Sequence, residues 1–383
     1  MLDRSPEAPQ AEAATATFPL ELDVDTPALI IDLDVMDANI ARAARMAREG
    51  GKAYRPHIKT HKSPWIARRQ IAAGAVGVTA AKLGEAEAMV AGGIEDVVIA
   101  YPIVGDAKLR RLERLMTDAP RIAVSTDSVA VAEGLARVGR RLGRPVPLYL
   151  EIDAGLGRVG VPAGEEGVRL AQQIDTIEGV RIEAVMTHGG HVGAETDREG
   201  LERASRAQAE ALVDTAERIR AAGIEVPGVS TGSTLAAPYE ADTPGVTELR
   251  PGTSVFNDLN TIARFSAELE RCAAYVLATV VSRPVAERAV VDAGSKSFGS
   301  DARAGGTGEP GAVVGREDAT LVKASEEHGV LKLEPGSTLS IGDRVAIVMN
   351  HVCPVVNLYD VLVGVRGGVV EREIPVVARG RRT

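Results

Sequence analysis

The eight residues from Arg55 to Lys62 carry an unusual density of basic side chains. They include Lys59 and two of the chain's six histidines, His57 and His61. A lysine amine can hold a carbonyl compound as a Schiff base, and neutral imidazoles can move protons near neutral pH. A solvated basic turn is the alternative, because runs of charge usually lie on the surface. The segment by itself does not distinguish these two interpretations.

Two later segments, rich in glycine and hydroxyl residues, form a candidate phosphate site. Residues 230–234 read Ser-Thr-Gly-Ser-Thr, and residues 250–254 read Arg-Pro-Gly-Thr-Ser. Small residues let backbone N–H groups approach an anion, and hydroxyls donate further hydrogen bonds. Each loop alone is more typical of a plain turn. A phosphorylated aldehyde held by Lys59 would account for both the lysine and the loops, and pyridoxal 5′-phosphate (PLP) is such a cofactor.

A third motif, Asn350-His351-Val352-Cys353-Pro354, contains two good metal ligands. In an extended segment the side chains of residues i and i+2 point the same way, so His351 and Cys353 could bind one divalent ion together. Two protein ligands would leave positions open for water and substrate. A histidine beside a core cysteine, without metal, is the alternative.

Alternation of strand and helix patterns predicts the elements that position these residues. The pattern favours a (β/α)8 barrel over residues 21–265, and a Rossmann sheet is disfavoured because no Gly-x-Gly-x-x-Gly turn follows the first strand. In such barrels the active site lies at the carboxyl ends of the strands, where the motifs above collect. The eight predicted strands are Tyr54–Lys59, Gly77–Ala81, Asp96–Tyr101, Arg121–Ser125, Pro147–Ile152, Glu183–His188, Gly228–Gly232 and Glu248–Phe256.

The flanking regions have different patterns. Ala28 to Leu33 predicts a strand, with Asp34 as the N-cap of the helix that follows. Residues 266–383 predict a separate, mostly antiparallel β domain that carries the metal pair, with Gly299 to Gly315 as a mobile loop. Residues 1–20 predict a disordered tail.

Composition narrows the classes of partner. The net charge of −9 disfavours nucleic acid and anionic membranes as partners, and no apolar run reaches the roughly 18 residues of a membrane span. Two cysteines are too few for a disulfide framework, which predicts a cytoplasmic protein. A small-molecule ligand is therefore expected.

Taken together, the motifs resemble the fold-type III PLP enzymes, the alanine racemase-like barrels. Within them the chain is most similar to the D-threonine aldolase and D-serine dehydratase family, over about residues 24–381. The resemblance implies that Lys59 holds the cofactor and that Arg158, in a Gly-Arg-x-Gly turn, lies near its phenolic oxygen. It also implies a homodimer. The residues implied around the phosphate are Ser233, Thr234, Gly252 and Thr253.

The metal motif departs from one branch of this family. The family carries a metal pair at this place, His-x-Cys with zinc in D-serine dehydratases and His-x-Asp in the best-known D-threonine aldolases. The resemblance therefore implies a divalent metal, zinc or manganese, on His351 and Cys353. Cys353 is dehydratase-like, whereas Ala100 to Lys108 and Ala378 to Arg381 are aldolase-like.

The reaction expected first is retro-aldol cleavage of a D-3-hydroxy amino acid, as of D-threonine to glycine and acetaldehyde. The metal would act as a Lewis acid on the β-hydroxyl, and His188, His191 or a metal-bound hydroxide are the candidate bases. The alternative is a dehydratase of D-serine or D-threo-3-hydroxyaspartate, in which Lys59 takes the α-proton. A racemase or a non-catalytic PLP-binding protein is less favoured, since barrels of the latter kind usually lack the second domain and the metal pair.

Overall fold

Two β-sheets organise the chain in this computed structural model, which describes residues 14–306 and 308–383; within them each sheet has nine strands. The strands are β1 Ala28–Asp32, β2 Ala53–Tyr54, β3 Val78–Ala80, β4 Asp96–Ile99, β5 Arg121–Thr126, β6 Val146–Asp153, β7 Val161–Pro162, β8 Val180–Met186, β9 Gly228–Thr231, β10 Glu248–Leu249, β11 Ala274–Val285, β12 Arg288–Val291, β13 Gly311–Val314, β14 Ala319–Ala324, β15 Gly329–Leu333, β16 Arg344–Met349, β17 Val361–Arg366 and β18 Val369–Pro375. The helices are α1 Leu33–Glu49, α2 Pro64–Ala72, α3 Leu83–Ala91, α4 Asp106–Asp118, α5 Val129–Leu142, α6 Glu165–Asp175, α7 Arg198–Ala221, α8 Ala237–Glu240, α9 Leu259–Ala263, α10 Ser295–Phe298 and α11 Val352–Val356. None of the helices in the described part of the chain combines the length and apolar character of a membrane span.

The first sheet is parallel, in the order β2-β10-β9-β8-β6-β5-β4-β3, with the short β7 beside β6. It closes on itself, because the N–H of Val76 donates to Tyr54 O at 2.9 Å and that of Thr79 to Pro56 O at 2.8 Å. The predicted barrel is thus confirmed. Its first and last strands are shorter than predicted, since each ends before a proline, Pro56 or Pro251, that has no N–H to continue the ladder.

The second sheet is antiparallel except for one pair. Its main path runs β14-β15-β12-β11-β1-β17-β18, with β16 pairing β11 and β13. Strand β1 lies between β11 and β17, antiparallel to the first and parallel to the second. Although Ala28 to Leu33 fell within the predicted barrel range of 21–265, this strand belongs to the second sheet. The predicted loop from Gly299 to Gly315 is also partly wrong, because β13 occupies its last part.

The N-terminal segment is ordered where the structure describes it. The ring of Phe18 meets Tyr275 edge-on, with 5.4 Å between centroids, and the Tyr275 hydroxyl donates to Pro19 O at 2.8 Å. The expected disordered tail is therefore wrong for residues 14–20, and its remainder, residues 1–13, lies outside the described residues. Apolar contact with the second sheet explains the order.

Helix α1 begins at Leu33, directly after the last residue of β1, without an intervening loop. Asp32 is its N-cap, since its Oδ1 accepts the N–H groups of Asp34 and Val35 at 3.1 Å. Asp34, the predicted cap, lies inside the first turn and pairs with Arg366. The helix thus starts earlier than predicted, because the carboxylate of Asp32 satisfies N–H groups that would otherwise lack partners.

A chain of buried polar groups crosses the barrel interior. The Arg55 Nε donates to Glu248 Oε2 at 2.6 Å, and the Ser230 hydroxyl donates to Glu248 Oε1 at 2.6 Å. Arg250 donates to the Ser230 hydroxyl and, at 2.6 Å, to Thr187 O. Burial alone would lower the pKa of Arg55, but Glu248 raises it above its ordinary value. The chain holds the Arg250 guanidinium in the interior of the barrel.

Replacing Arg55 with methionine is expected to lower the free energy of unfolding by about 3–5 kcal/mol, because it leaves a buried carboxylate at Glu248 unpaired. The control is Arg206→Met, which removes an exposed ion pair with Glu202 and should cost at most about 1 kcal/mol. Urea unfolding monitored by circular dichroism measures both. Equal losses in the two variants would contradict the role assigned to the buried chain.

Candidate active site

A cavity of about 520 Å³ lies at the carboxyl ends of the barrel strands. Eight of the ten predicted site residues line it, whereas Arg158 and His191 do not. The eight are Lys59, His188, Ser233, Thr234, Gly252, Thr253, His351 and Cys353. Lys59 and Cys353, which are more than 290 positions apart in the chain, therefore line the same cavity, as the motifs require.

Lys59 lies in a 3-10 turn, Ile58–Thr60, and not in a strand as predicted. The turn begins at His57, whose Nδ1 accepts the N–H of Lys59 at 3.3 Å. Burial lowers the pKa of His57 well below its ordinary value, and the charge of Lys59 adds to the effect. His57 is thus a neutral group that shapes the turn and presents the Lys59 side chain to the cavity.

Lys62 is buried, although runs of charge such as this segment usually lie on the surface. Its Nζ is 3.0 Å from Glu85 Oε1 and 3.0 Å from Asn357 Oδ1, and α2 begins only at Pro64. His61 is also buried, and burial lowers its pKa to about 4. Neither residue lines the cavity, so Lys59 is the amine of this segment that a ligand there can reach.

The hydroxyl loops offer hydrogen-bond donors to the cavity. The Ser233 Oγ accepts the N–H of Ala236, and the Thr234 Oγ1 accepts the N–H of Ser254, each at 3.1 Å. Since each oxygen acts as an acceptor within the protein, its hydrogen stays available to an anion. A Cβ at Gly252 would lie 3.1 Å from the backbone oxygen of His57, so this close approach favours glycine. These residues fit a phosphate group.

His188 is a neutral base facing the cavity. Its Nδ1 lies 2.7 Å from Gly232 O, and since a carbonyl can only accept, Nδ1 carries the proton and Nε2 does not. Burial, followed by the charges of Lys59 and Arg158, lowers the pKa of His188 to about 3. His188 is therefore neutral at physiological pH, and its Nε2 carries no proton.

Arg158 and His191 lie beside the cavity and not in its wall. Arg158 is exposed in the loop after β6, and its charge contributes to the lowered pKa of His188. His191 packs against Gly155 of the same loop, where an added Cβ would be 2.9 Å from its Nε2. The buried Nδ1 of His191 has no hydrogen-bond partner among residues 14–306 and 308–383. The structure thus separates the two candidate histidine bases.

His351 and Cys353 meet through a helical turn and not through the extended segment that was predicted. His351 is the N-cap residue of α11, in which Cys353 lies. The N–H of Val352 donates to Asp258 Oδ2 at 3.0 Å, which ties this turn to the end of the barrel. The Cys353 Sγ is 3.2 Å from the hydroxyl of Thr60, next to Lys59.

The electrostatics of the pair suit metal binding. Burial would raise the pKa of Cys353, but the hydrogen bond with His351 holds it below its ordinary value. The imidazole Nδ1 lies 2.6 Å from Asp301 Oδ2, the carboxylate contact that commonly orients metal-bound histidines. The described residues contain no cluster of three or more histidine, cysteine, aspartate or glutamate side chains that could hold a metal ion. Thiolate and imidazole fit a zinc-like ion with open positions.

Sequence reasoning missed several residues of the cavity wall. The loop and helix that follow β10 supply Asp258, Asn260, Thr261 and Arg264. The available signal was Asn257-Asp258-Leu259-Asn260-Thr261, a cap signature directly after the last barrel strand. It predicts a helix start, although not its place beside the metal pair.

Comparisons with known proteins find matches to both parts of the chain. The family model "Alanine racemase, N-terminal domain" matches residues 31–259, and "Putative serine dehydratase domain" matches residues 273–365. A D-threonine aldolase of Arthrobacter sp. is 35% identical over 365 residues, which cover 93% of each chain. The crystal structure of D-threonine aldolase from Filomicrobium marinum matches with a TM-score of 0.89 and 33% identity, over 97% of this chain and 100% of that one. D-threo-3-hydroxyaspartate dehydratase from Delftia sp. HT23 matches with a TM-score of 0.86 and 31% identity, over 94% and 99%.

Lys59→Ala is expected to abolish the visible absorbance that PLP gains when a protein lysine holds it. Lys62→Ala is the control, since its side chain is occupied by Glu85. That variant should keep the band while losing stability, because it leaves a buried carboxylate without its partner. Absorbance spectra of the two variants reconstituted with PLP measure this. A band that survives in Lys59→Ala and disappears in Lys62→Ala would reverse the assignment.

Cys353→Ser is expected to lower bound metal and activity together, because an alcohol is a much poorer ligand than a thiolate for soft divalent ions. Cys272→Ser serves as the matched control, since Cys272 is buried away from the cavity. Metal analysis by mass spectrometry beside an activity assay tests both variants. Full activity of the Cys353 variant after chelation would leave the pair with a structural role only.

Proposed function

The chain belongs to the alanine racemase N-terminal domain family of PLP enzymes and, within it, to the lyases related to D-threonine aldolase, and from this premise we infer that it cleaves D-3-hydroxy amino acids into glycine and an aldehyde. The observation that supports this most is the shared cavity of Lys59, the hydroxyl loops and the His351–Cys353 pair. A racemase would need no metal ligands beside its lysine.

The chain's own residues provide binding and proton transfer. Lys59 would hold PLP covalently, and Ser233, Thr234, Gly252 and Thr253 would bind its phosphate. Bound PLP supplies an electron sink for the pair left on Cα when the Cα–Cβ bond breaks. His188 is the base that we favour, because its Nε2 is unprotonated and lines the cavity. The proton that His188 takes from the β-hydroxyl is balanced by the proton that Cα gains, so glycine and aldehyde contain all the atoms of the substrate.

Two further parts of the proposal concern His351, Cys353 and Arg158. His351 and Cys353 would hold a divalent ion, which supplies a Lewis acid for the β-hydroxyl; thiolate favours zinc over manganese. A cysteine-to-alanine mutant of a D-threo-3-hydroxyaspartate dehydratase has been solved in a metal-free form, which supports a metal in that relative. Arg158 would approach the cofactor's phenolic oxygen from the loop after β6.

Dehydration of a D-3-hydroxy amino acid is the second candidate. Cys353 and the similarity to a D-threo-3-hydroxyaspartate dehydratase favour it. In that reaction Lys59 would remove the α-proton, and the β-hydroxyl would leave as water. Both reactions use the same cavity; they differ in which bond to Cα breaks. A homodimer and a cytoplasmic location stay predictions from the resemblance and the composition.

Incubation with D-threonine, D-serine and D-threo-3-hydroxyaspartate, with and without a chelator, distinguishes the two reactions. Retro-aldol cleavage yields glycine with acetaldehyde, formaldehyde or glyoxylate, whereas dehydration yields ammonia with 2-oxobutanoate, pyruvate or oxaloacetate. We expect glycine and aldehyde, and loss of activity with the chelator that added zinc restores. Absence of product from all three substrates would contradict both lyase proposals.

A further inference from the structure

Arg264 follows helix α9 at the rim of the active-site cavity. Its N–H donates to Asn260 O at 3.2 Å, and the N–H of Asn260 donates in turn to the carbonyl of Asn350 at 3.1 Å, the residue before His351. Asn260 and Arg264 both line the cavity. Arg264 therefore lies about one helical turn from the point where the metal pair is attached to the barrel.

Within the described residues, one nitrogen of the Arg264 guanidinium makes a hydrogen bond and the other two make none. Its Nε donates to Gly193 O at 2.8 Å, and a Cβ at Gly193 would lie only 2.9 Å from that nitrogen, so glycine makes room for the guanidinium. The two terminal nitrogens have no hydrogen-bond or ion-pair partner among residues 14–306 and 308–383. Such a guanidinium presents two parallel N–H donors, the geometry that binds a carboxylate bidentately.

No acidic side chain of the cavity wall forms an ion pair with Arg264 in the described part of the chain. Asp258 is the acidic residue among the lining residues, and its two oxygens accept the N–H groups of Thr261 at 2.8 Å and Val352 at 3.0 Å. The cation Arg250 is engaged by Ser230 and Thr187 inside the barrel. Arg264 is thus a positive group facing a space into which a ligand could bring a negative one.

The side chains of the cavity wall offer many hydrogen-bonding groups. Leu235 is the one aliphatic side chain among the residues that line it; the others are polar, charged, glycine or cysteine. A charged substituent on Cβ would therefore meet polar partners in this wall.

From these observations we propose that Arg264 binds a carboxylate carried by Cβ of the substrate, so that dicarboxylic D-3-hydroxy amino acids of the 3-hydroxyaspartate type are preferred over D-threonine. This rests on the proposed lyase function and specifies its substrate. The Cβ hydroxyl is directed to the metal pair, and the carboxylate on the same carbon reaches the guanidinium one helical turn away. Arg264 acts in specificity and takes no proton.

The test compares kcat/KM of the PLP- and zinc-loaded enzyme for D-threo-3-hydroxyaspartate and D-threonine, counting all amino-acid, aldehyde and keto-acid products. The wild type should prefer the dicarboxylic substrate. Arg264→Gln should lose about 10- to 100-fold on that substrate, the range of charge-assisted hydrogen bonds, and stay within about threefold on D-threonine. Arg264→Lys should recover part of the loss. Arg203→Gln, which removes an exposed charge on α7, should change neither value.

PLP affinity of the Arg264 variants, measured by absorbance titration of the apoprotein, is a second readout and should equal that of the wild type. Weaker PLP binding would mean that Arg264 binds the cofactor phosphate, and equal losses on both substrates would mean that it binds the α-carboxylate; either overturns the inference. A wild type that cleaves D-threonine as well as the dicarboxylic substrate overturns it while leaving the lyase function intact. Inactivity on both substrates would overturn the lyase function itself.

Discussion

The buried carboxylate of Asp258 joins the two halves of the active site. It stands at the start of α9, just beyond the barrel, and accepts one N–H from its own helix and one from Val352, between the two proposed metal ligands. Burial raises its pKa above the ordinary value, so these hydrogen bonds are what keep the group satisfied in a dry position. Because His351 and Cys353 follow β16 of the second sheet and Lys59 follows the first barrel strand, this contact helps to bring them to one cavity.

The path of the chain also holds the barrel and the second sheet together. It begins in the second sheet with β1, makes the whole barrel, and returns to the second sheet with β11, which pairs directly with β1. The two sheets are therefore held together at both ends of the barrel sequence. Inside the barrel, Arg55, Glu248 and Ser230 form a polar chain that ends at Arg250 beneath the cavity. A rigid base of this kind suits a site in which small differences of position decide which bond breaks.

The electrostatics divide the histidines by role. His57 and His61 are kept neutral by burial and serve the local fold of the lysine turn, whereas His188 is neutral with a free nitrogen in the cavity. His351 is different, since the hydrogen bond with Cys353 and the Asp301 contact outweigh burial and raise its pKa to about 9. Histidine side chains therefore have three different roles in this protein, according to their surroundings.

The sequence by itself determined the class of fold, and it predicted the lysine, the candidate phosphate loops and the candidate metal pair, because these depend on local patterns: strand and helix periods, small residues at turns, and ligands at close spacing. It did not reveal that β1 joins the second sheet, since a strand buried on both faces has the same pattern in either sheet. Nor could it separate His188 from His191, show that Lys62 is buried against Glu85, or place Arg264 in the cavity. Those outcomes depend on contacts between residues distant in sequence, and only the tertiary structure decides which side chains meet, which are desolvated and which remain free.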